Sequence, residues 1–265
     1  MHPQSALLNV MIKAARRAGR SLVRDFNEVE KLQVSVKGPA NFVSAADKRA
    51  EELIYDELTK ARPGYSFIGE EGGSRPGSDP SHTWIVDPLD GTTNFLHGIP
   101  YFAISIGLQR EGTIVAGVVF NPVTDELYFG ERGKGAFCND QRLRVAARRH
   151  LMDCVVACGL PHFGRGDLEL SRAEMMAVQP TVSGLRRFGA SALDLAYVAA
   201  GRFDAYWERD LAPWDMAAGL LLVREAGGFV TDLDDGDQIL EKGSVLAANA
   251  AIHRDLLKIL TTLNR

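Results

Sequence analysis

Two aspartates, Asp87 and Asp90, close an apolar run and precede a glycine and two threonines in Trp84-Ile85-Val86-Asp87-Pro88-Leu89-Asp90-Gly91-Thr92-Thr93-Asn94-Phe95. Carboxylates hold hard cations such as Mg²⁺, and the free N–H groups at a helix start attract phosphate. The stretch can therefore bind a metal and an anion side by side, or it can be a strand–turn–helix junction with an ordinary Asp cap. Two further segments place acids at the ends of elements. Gly69-Glu70-Glu71 closes a strand-like run, and Asp215 in Pro213-Trp214-Asp215 opens an apolar helix, where the helix dipole favours an acid. Ser44-Ala45-Ala46-Asp47 matches a capping box, so Asp47 either supports a helix start or orients something in a site. If Glu70, Asp87 and Asp90 meet, each carboxylate pair costs about 4 kcal/mol at ~4 Å and an effective dielectric of 20. Such a cluster needs protons or a cation.

The elements that must position these groups follow from periodicity. Leu7, Leu8, Met11, Ile12, Ala15, Leu22, Val23 and Phe26 recur at helical spacing, with Lys13, Arg16, Arg17 and Arg24 mostly off the stripe. Val34–Lys37 alternates like a short strand, and 38–41 is a loop signal; after the capping box at 44–47 a helix runs to about Ala61. Trp84–Val86 reads as a buried strand that stops at Asp87, because Pro88 has no N–H for a ladder, and Asp90 falls at the cap of the next helix. Residues 72–81, rich in Gly, Ser, Pro and Asp, read as a mobile loop. Ala103–Gln109 and Thr113–Phe120 form a hairpin, with another strand near Leu127–Phe129. From Val155 strands and helices alternate: Val155–Gly159, Leu168–Val178, Leu185–Phe188, Ala192–Ala200, Phe203–Trp207, then the helix opened by Asp215. The acidic run 232–237 lacks calcium-loop spacing and reads as a solvated turn. Two intimate halves of one catalytic unit are expected, 1–150 with an antiparallel sheet and 151–265 with a mixed or parallel one.

The formal charge of −4 argues against nucleic acid or an anionic membrane as the main partner. No signal peptide of the usual form is expected, since Lys13, Arg16, Arg17 and Arg20 interrupt the start, and no window reaches the ~18 apolar residues of a membrane span. An odd set of cysteines, Cys138, Cys154 and Cys158, argues against a disulfide framework and for a cytoplasmic location. No second Cys or His pair follows Cys154 and Cys158 at zinc-like spacing, so they read as buried thiols.

Gly69-Glu70-Glu71, Asp87-Pro88-Leu89-Asp90-Gly91-Thr92-Thr93-Asn94-Phe95 and Trp214-Asp215-Met216-Ala217-Ala218-Gly219 together resemble the three signature motifs of the inositol monophosphatase family. The resemblance spans nearly the whole chain. It implies a layered α-β-α-β-α sandwich, generally homodimeric, and a Mg²⁺-dependent, often lithium-sensitive phosphatase with two or three metals per site. It assigns metal ligation to Glu70, Asp87, the Leu89 carbonyl, Asp90 and Asp215. Phosphate binding is assigned to Gly91 and Thr92, with Asp90 and Asp215 beside it. Catalytic roles fall to Asp47, Glu70 and Thr92, with Asp47 and Thr92 orienting the attacking water. Substrate contacts are assigned to Gly189, Ala190, Ala192 and Glu208, and Lys37 sits near a family lysine close to the metals. Two metals activate water and stabilise the leaving alkoxide in an in-line displacement. Thr93-Asn94-Phe95 and the short loop after Glu71 favour inositol monophosphate and related polyol phosphates over histidinol phosphate or adenosine bisphosphate. Some bacterial relatives also act as partners of the transcription and RNA-processing machinery. For such a role, Arg186-Arg187 and the basic side of the first helix are the candidate surface, which is otherwise a solvated face.

Overall fold

Leu8, Met11, Ile12, Ala15 and Leu22 are the buried side of helix α1, Ala6–Phe26. Its start is capped by Ser5, whose hydroxyl accepts the Leu8 N–H at 3.2 Å. The computed structural model describes residues 5–28, 34–38, 41–161 and 166–264; of 34–38 and 41–44 it describes the backbone alone. The expected role of Lys37, like a cap from Ser44, rests on side chains outside what is described. Helix α2, Ala45–Ala61, packs beside α1 and buries Ala46, Ala50, Ile54 and Leu58. Before it, β1 (Val34–Gly38) and β2 (Asn41–Ser44) pair as a hairpin; β2 lies partly where the sequence signals only a loop.

Helices α1 and α2 cover one face of an eight-stranded sheet. Its strands are β3 (Tyr65–Gly69), β4 (Gly73–Arg75), β5 (Asp79–Asp90), β6 (Ala103–Arg110), β7 (Thr113–Asn121), β8 (Glu126–Glu131), β9 (Gly135–Cys138) and β10 (Gln141–Arg142), in the order β10-β9-β8-β7-β6-β5-β3-β4. All neighbours are antiparallel except β3 and β5. The second sheet has the order β12-β11-β13-β15-β14, from β11 (Val155–Cys158), β12 (Gly184–Arg186), β13 (Ala205–Glu208), β14 (Phe229–Thr231) and β15 (Val245–Ala248). Here β11 runs parallel to β12 and β13, and the remaining pairs are antiparallel.

Between the sheets lie α5 (Ser191–Ala199) and α6 (Pro213–Glu225), while α4 (Leu168–Val178) and α8 (Ala250–Thr261) cover the outer face of the second sheet. Short helices α3 (Thr92–Leu96) and α7 (Ile239–Lys242) complete the described α-helices. The result is the expected α-β-α-β-α layering. Apolar burial follows the layers: Met11, Ile54 and Phe67 under α1 and α2, Leu195, Tyr206 and Met216 between the sheets, and Trp207, Leu246 and Leu256 beneath α4 and α8. Helix α6 lies unusually close to the first sheet. A Cβ on Gly117 would sit 2.8 Å from the Ala218 carbonyl oxygen, and one on Gly107 would sit 2.9 Å from the Ala217 Cβ. Among the described residues no helix is long and apolar enough to cross a membrane.

Three local expectations are corrected. Strand β5 does not stop at Asp87: it continues through Pro88 to Asp90, and the register shifts between Asp87 and Asp90. A bulge absorbs the missing N–H of proline, which a regular central strand could not. Residues 72–81 are not simply a loop, because Gly73–Arg75 pairs with β3 and β5 already starts at Asp79. In the acidic run, Asp232 is fully buried rather than solvated. It accepts the N–H groups of Asp234 and Gly236 at 2.8 Å each and pairs with Lys242 Nζ at 3.1 Å.

Candidate active site

The bulge in β5 carries Asp87, Leu89 and Asp90 to one edge of a cleft between the two sheets. Asp87 Oδ1 accepts the Leu89 N–H at 2.9 Å, which fixes the turn around Pro88. Gly91, not Asp90, is the cap residue of α3; its φ of 91° is a left-handed conformation that suits glycine. Asp90 instead caps a different helix. Its two carboxylate oxygens accept the N–H groups of Ser191 at 3.1 Å and Ala192 at 2.8 Å, at the start of α5. The residue at the α5 cap position, Ala190, has no side-chain acceptor to offer. Asp215, in the first turn of α6, accepts the Ala212 N–H at 2.7 Å.

These acids converge in two groups. Asp87, Asp90 and Asp215 each present a carboxylate oxygen within 4.8 Å of the others, and Asp47, Glu70 and Glu71 do the same. Asp47, 1% exposed, is thus placed beside Glu70 and Glu71. Thr92 Oγ1 donates to the Leu89 carbonyl at 3.0 Å and lies 3.4 Å from Asp47 Oδ2. From the same helix as Asp47, Glu51 grips the next turn: its carboxylate accepts the N–H groups of Glu71 at 2.8 Å and Gly72 at 2.6 Å.

Burial, followed by repulsion from Glu70 and Asp90, pushes the Asp87 carboxyl well above the usual range. Asp90 is raised by burial and by Asp215, against the opposing pull of the Ala192 N–H. The donor atoms are all oxygens, from several elements, with excess negative charge. That set fits a hard divalent cation such as Mg²⁺, which would relieve the repulsion, and offers no nitrogen or sulfur to a softer metal.

A cavity of about 310 Å³ opens onto this wall. Of the sequence candidates, Glu70, Asp87, Leu89, Asp90, Gly91, Thr92, Gly189, Glu208 and Asp215 line it. Ala190 and Ala192 are buried behind it, Ala192 contributing its N–H to Asp90. Glu208, at the end of β13, accepts from Tyr206 Oη and from Ser191 Oγ, the latter at 3.3 Å. Its seat exists because residue 159 has no side chain: a Cβ there would lie 1.7 Å from the Glu208 Cδ. Arg187, which the sequence suggested only for a partner surface, and Ser191, which was not a candidate, also line the cavity. Ser191 lies between two of them, so its position was the available signal. Glu71 joins the second acid group and was visible as the neighbour of Glu70.

Residues 4–264 match the profile of the inositol monophosphatase family. Over 255 residues, 96% of either chain, the sequence is 62% identical to an inositol-1-monophosphatase of Mesorhizobium japonicum. It is 42% identical to the Nus factor SuhB of Pseudomonas aeruginosa, covering 95% of this chain and 94% of that one. Extragenic suppressor protein suhB from Bartonella henselae superposes with a TM-score of 0.95 at 57% identity, covering 97% of this chain and 98% of that one. With three acid-bearing motifs converging on one cleft and a family match along nearly its full length, the chain belongs to the inositol monophosphatase family.

Proposed function

We propose that the protein is a Mg²⁺-dependent phosphomonoesterase that releases inositol and phosphate from inositol monophosphate, and that it also accepts related polyol phosphates. The observation that carries this reading is the meeting of Asp87, Asp90 and Asp215 on one wall of a cavity whose rim holds Glu208. The relatives named inositol-1-monophosphatase at higher identity than the Nus factor relative favour catalysis over a regulatory role.

In this reading Glu70, Asp87, the Leu89 carbonyl, Asp90 and Asp215 hold two or three Mg²⁺. When bound, the metal supplies Lewis-acid charge neutralisation at the phosphoryl and leaving oxygens and acidifies water. The first-turn N–H groups at Gly91 and Thr92, which lack intrahelical acceptors, face the phosphate. Thr92 Oγ1, in reach of Asp47, turns a lone pair of the attacking water toward phosphorus, with Glu70 beside it. Glu208 accepts hydroxyls of the polyol, while Gly189, Ala190 and Ala192 shape the backbone around it. The halves 1–150 and 151–265 form one catalytic unit, because the acid set needs both. The protein works as a cytoplasmic homodimer on a small-molecule substrate.

Turnover of inositol 1-phosphate, adenosine 3′,5′-bisphosphate, histidinol phosphate and fructose 1,6-bisphosphate, measured with and without Mg²⁺, tests the reading. Inositol 1-phosphate is expected first and only with metal; last place for it would overturn the substrate assignment. Rescue of a cellular phenotype by inactive Asp87→Asn protein would favour the regulatory role instead.

A further inference from the structure

Glu174 sits on the buried side of α4, 3% exposed, and belongs to none of the acid groups at the cleft. Its Oε1 accepts Arg209 Nε at 2.8 Å and pairs with Arg209 Nη2 at 2.7 Å. Its Oε2 accepts the indole N–H of Trp207 at 3.1 Å. One carboxylate thus anchors the two residues that flank Glu208 in sequence.

Strand geometry gives this arrangement a direction. Successive side chains alternate between faces. Trp207 packs in the outer layer with α8, whereas Tyr206 packs between the sheets with α5 and α6. Glu208 shares the face of Tyr206, to which it is hydrogen-bonded, and opens onto the main cavity. Trp207 lies on the opposite face, while Arg209, the first residue past β13, lines the cavity beside Glu208; Glu174 holds both. The seat of Glu208 is tight, since a Cβ at residue 159 would meet its carboxylate. A small rotation of the strand end therefore moves Glu208 relative to the cavity.

We propose that Glu174 is a positioning residue: by holding Trp207 behind β13 and Arg209 just past its end, it aims Glu208 into the cavity and so sets the preference for polyhydroxylated phosphomonoesters. The inference rests on the reading of Glu208 as a hydroxyl acceptor. A charge-assisted fork to arginine is directional as well as strong, which suits it to fixing an angle. Glutamine at position 174 keeps the size but loses the charge and one of the two acceptor oxygens, so it cannot accept from both Arg209 and the Trp207 indole N–H.

The test compares inositol 1-phosphate with p-nitrophenyl phosphate, which has no hydroxyl for Glu208, at saturating Mg²⁺ in the full chain. For Glu174→Gln, KM for inositol 1-phosphate is expected to rise about tenfold, the scale of one weakened hydrogen bond to a charged group. Its kcat/KM for p-nitrophenyl phosphate should stay within about twofold of the parent value. Glu208→Gln should show the same selectivity, and Trp207→Phe a smaller shift in the same direction. Equal losses on both substrates, or no change on either, would overturn the proposal. If Glu174→Gln fails to fold, an unchanged substrate ratio in Trp207→Phe does so instead. A shifted ratio in Glu208→Gln beside an unchanged one in Glu174→Gln sinks this inference alone. An unchanged ratio in Glu208→Gln removes the role given to Glu208, and the inference with it.

Discussion

Asp90 accepts the backbone N–H of Ala192 at 2.8 Å, a contact between residues 102 positions apart. The same carboxylate lies within 4.8 Å of Asp87 and Asp215. One side chain therefore caps a helix of the second half and forms part of the acid wall of the first. Its double duty separates it from Asp87, which accepts a local backbone N–H, that of Leu89.

Asn at either position removes a charge that the proposed metals need. Both Asp87→Asn and Asp90→Asn are expected to lower turnover at least about a hundredfold at saturating Mg²⁺, with far-UV circular dichroism unchanged. Their stabilities should diverge. Asp87→Asn relieves repulsion, so the Tm of metal-free protein should rise by about 2 °C or more. Asp90→Asn gives up one of two acceptors at the α5 start, a loss of about 1 kcal/mol that offsets the relief. Metal-free melts of the two variants check this order. An Asp87→Asn enzyme with near-parental turnover would remove the metal assignment.

Metal removal should be visible without any substrate. A cation that binds the folded acids and not the unfolded chain stabilises by about 2.7 kcal/mol at a hundred times its Kd. Adding Mg²⁺ to chelator-treated protein should therefore raise Tm, and the rise should shrink sharply in Asp215→Asn. A full Tm response in that variant would place the metal elsewhere.

Cys154 and Cys158 are buried, and burial pushes both thiols up to about 12. Near neutral pH almost no thiolate is present at either. A disulfide reagent should label at most Cys138, which is half-buried, in native protein and all three cysteines after unfolding. Rapid native labelling of more than one thiol would contradict this.

His253 is 6% exposed, its Nε2 is 3.0 Å from Thr231 Oγ1, and burial holds its pKa below 6.5. Above 6.5 neither state binds the proton, so this histidine contributes no pH dependence. Below it the unfolded chain takes up a proton that the folded chain resists, and stability falls until the depressed folded value is reached. The drop in Tm between about pH 7.5 and 5.5 should be smaller in His253→Gln. An equal drop in the variant would remove this histidine from the acid response.

Most of the layering was legible because it follows from apolar period. Helix α4 occupies Leu168–Val178, as its pattern suggests, and the β6–β7 hairpin turns at Arg110-Glu111-Gly112. What was not legible depends on partners distant in sequence. Pro88 looks like a strand stop until a bulge is available to absorb it. Asp90 looks like the cap of the helix that follows it, because nothing local reveals Ser191 and Ala192. Asp232 reads as solvated among its acidic neighbours, yet two N–H groups and Lys242 let it be buried. Glu174 sits on a helix as any surface glutamate would, and only the fold brings Trp207 and Arg209 to it.

The near-contact between Gly117 and the backbone of Ala218 has a consequence for the proposed metal site. Asp215 rides on the first turn of α6, and Asp87 on β5, separated from β7 by one strand in the sheet that α6 presses against. The gap between these two acids is thus gauged by methyl groups that are absent. A methyl restored by Gly117→Ala would act as a shim, lifting the helix and widening the span its acid must bridge. At the proposed site, selectivity among divalent ions of different radius would in this way be retuned from beneath the helix, without altering any carboxylate.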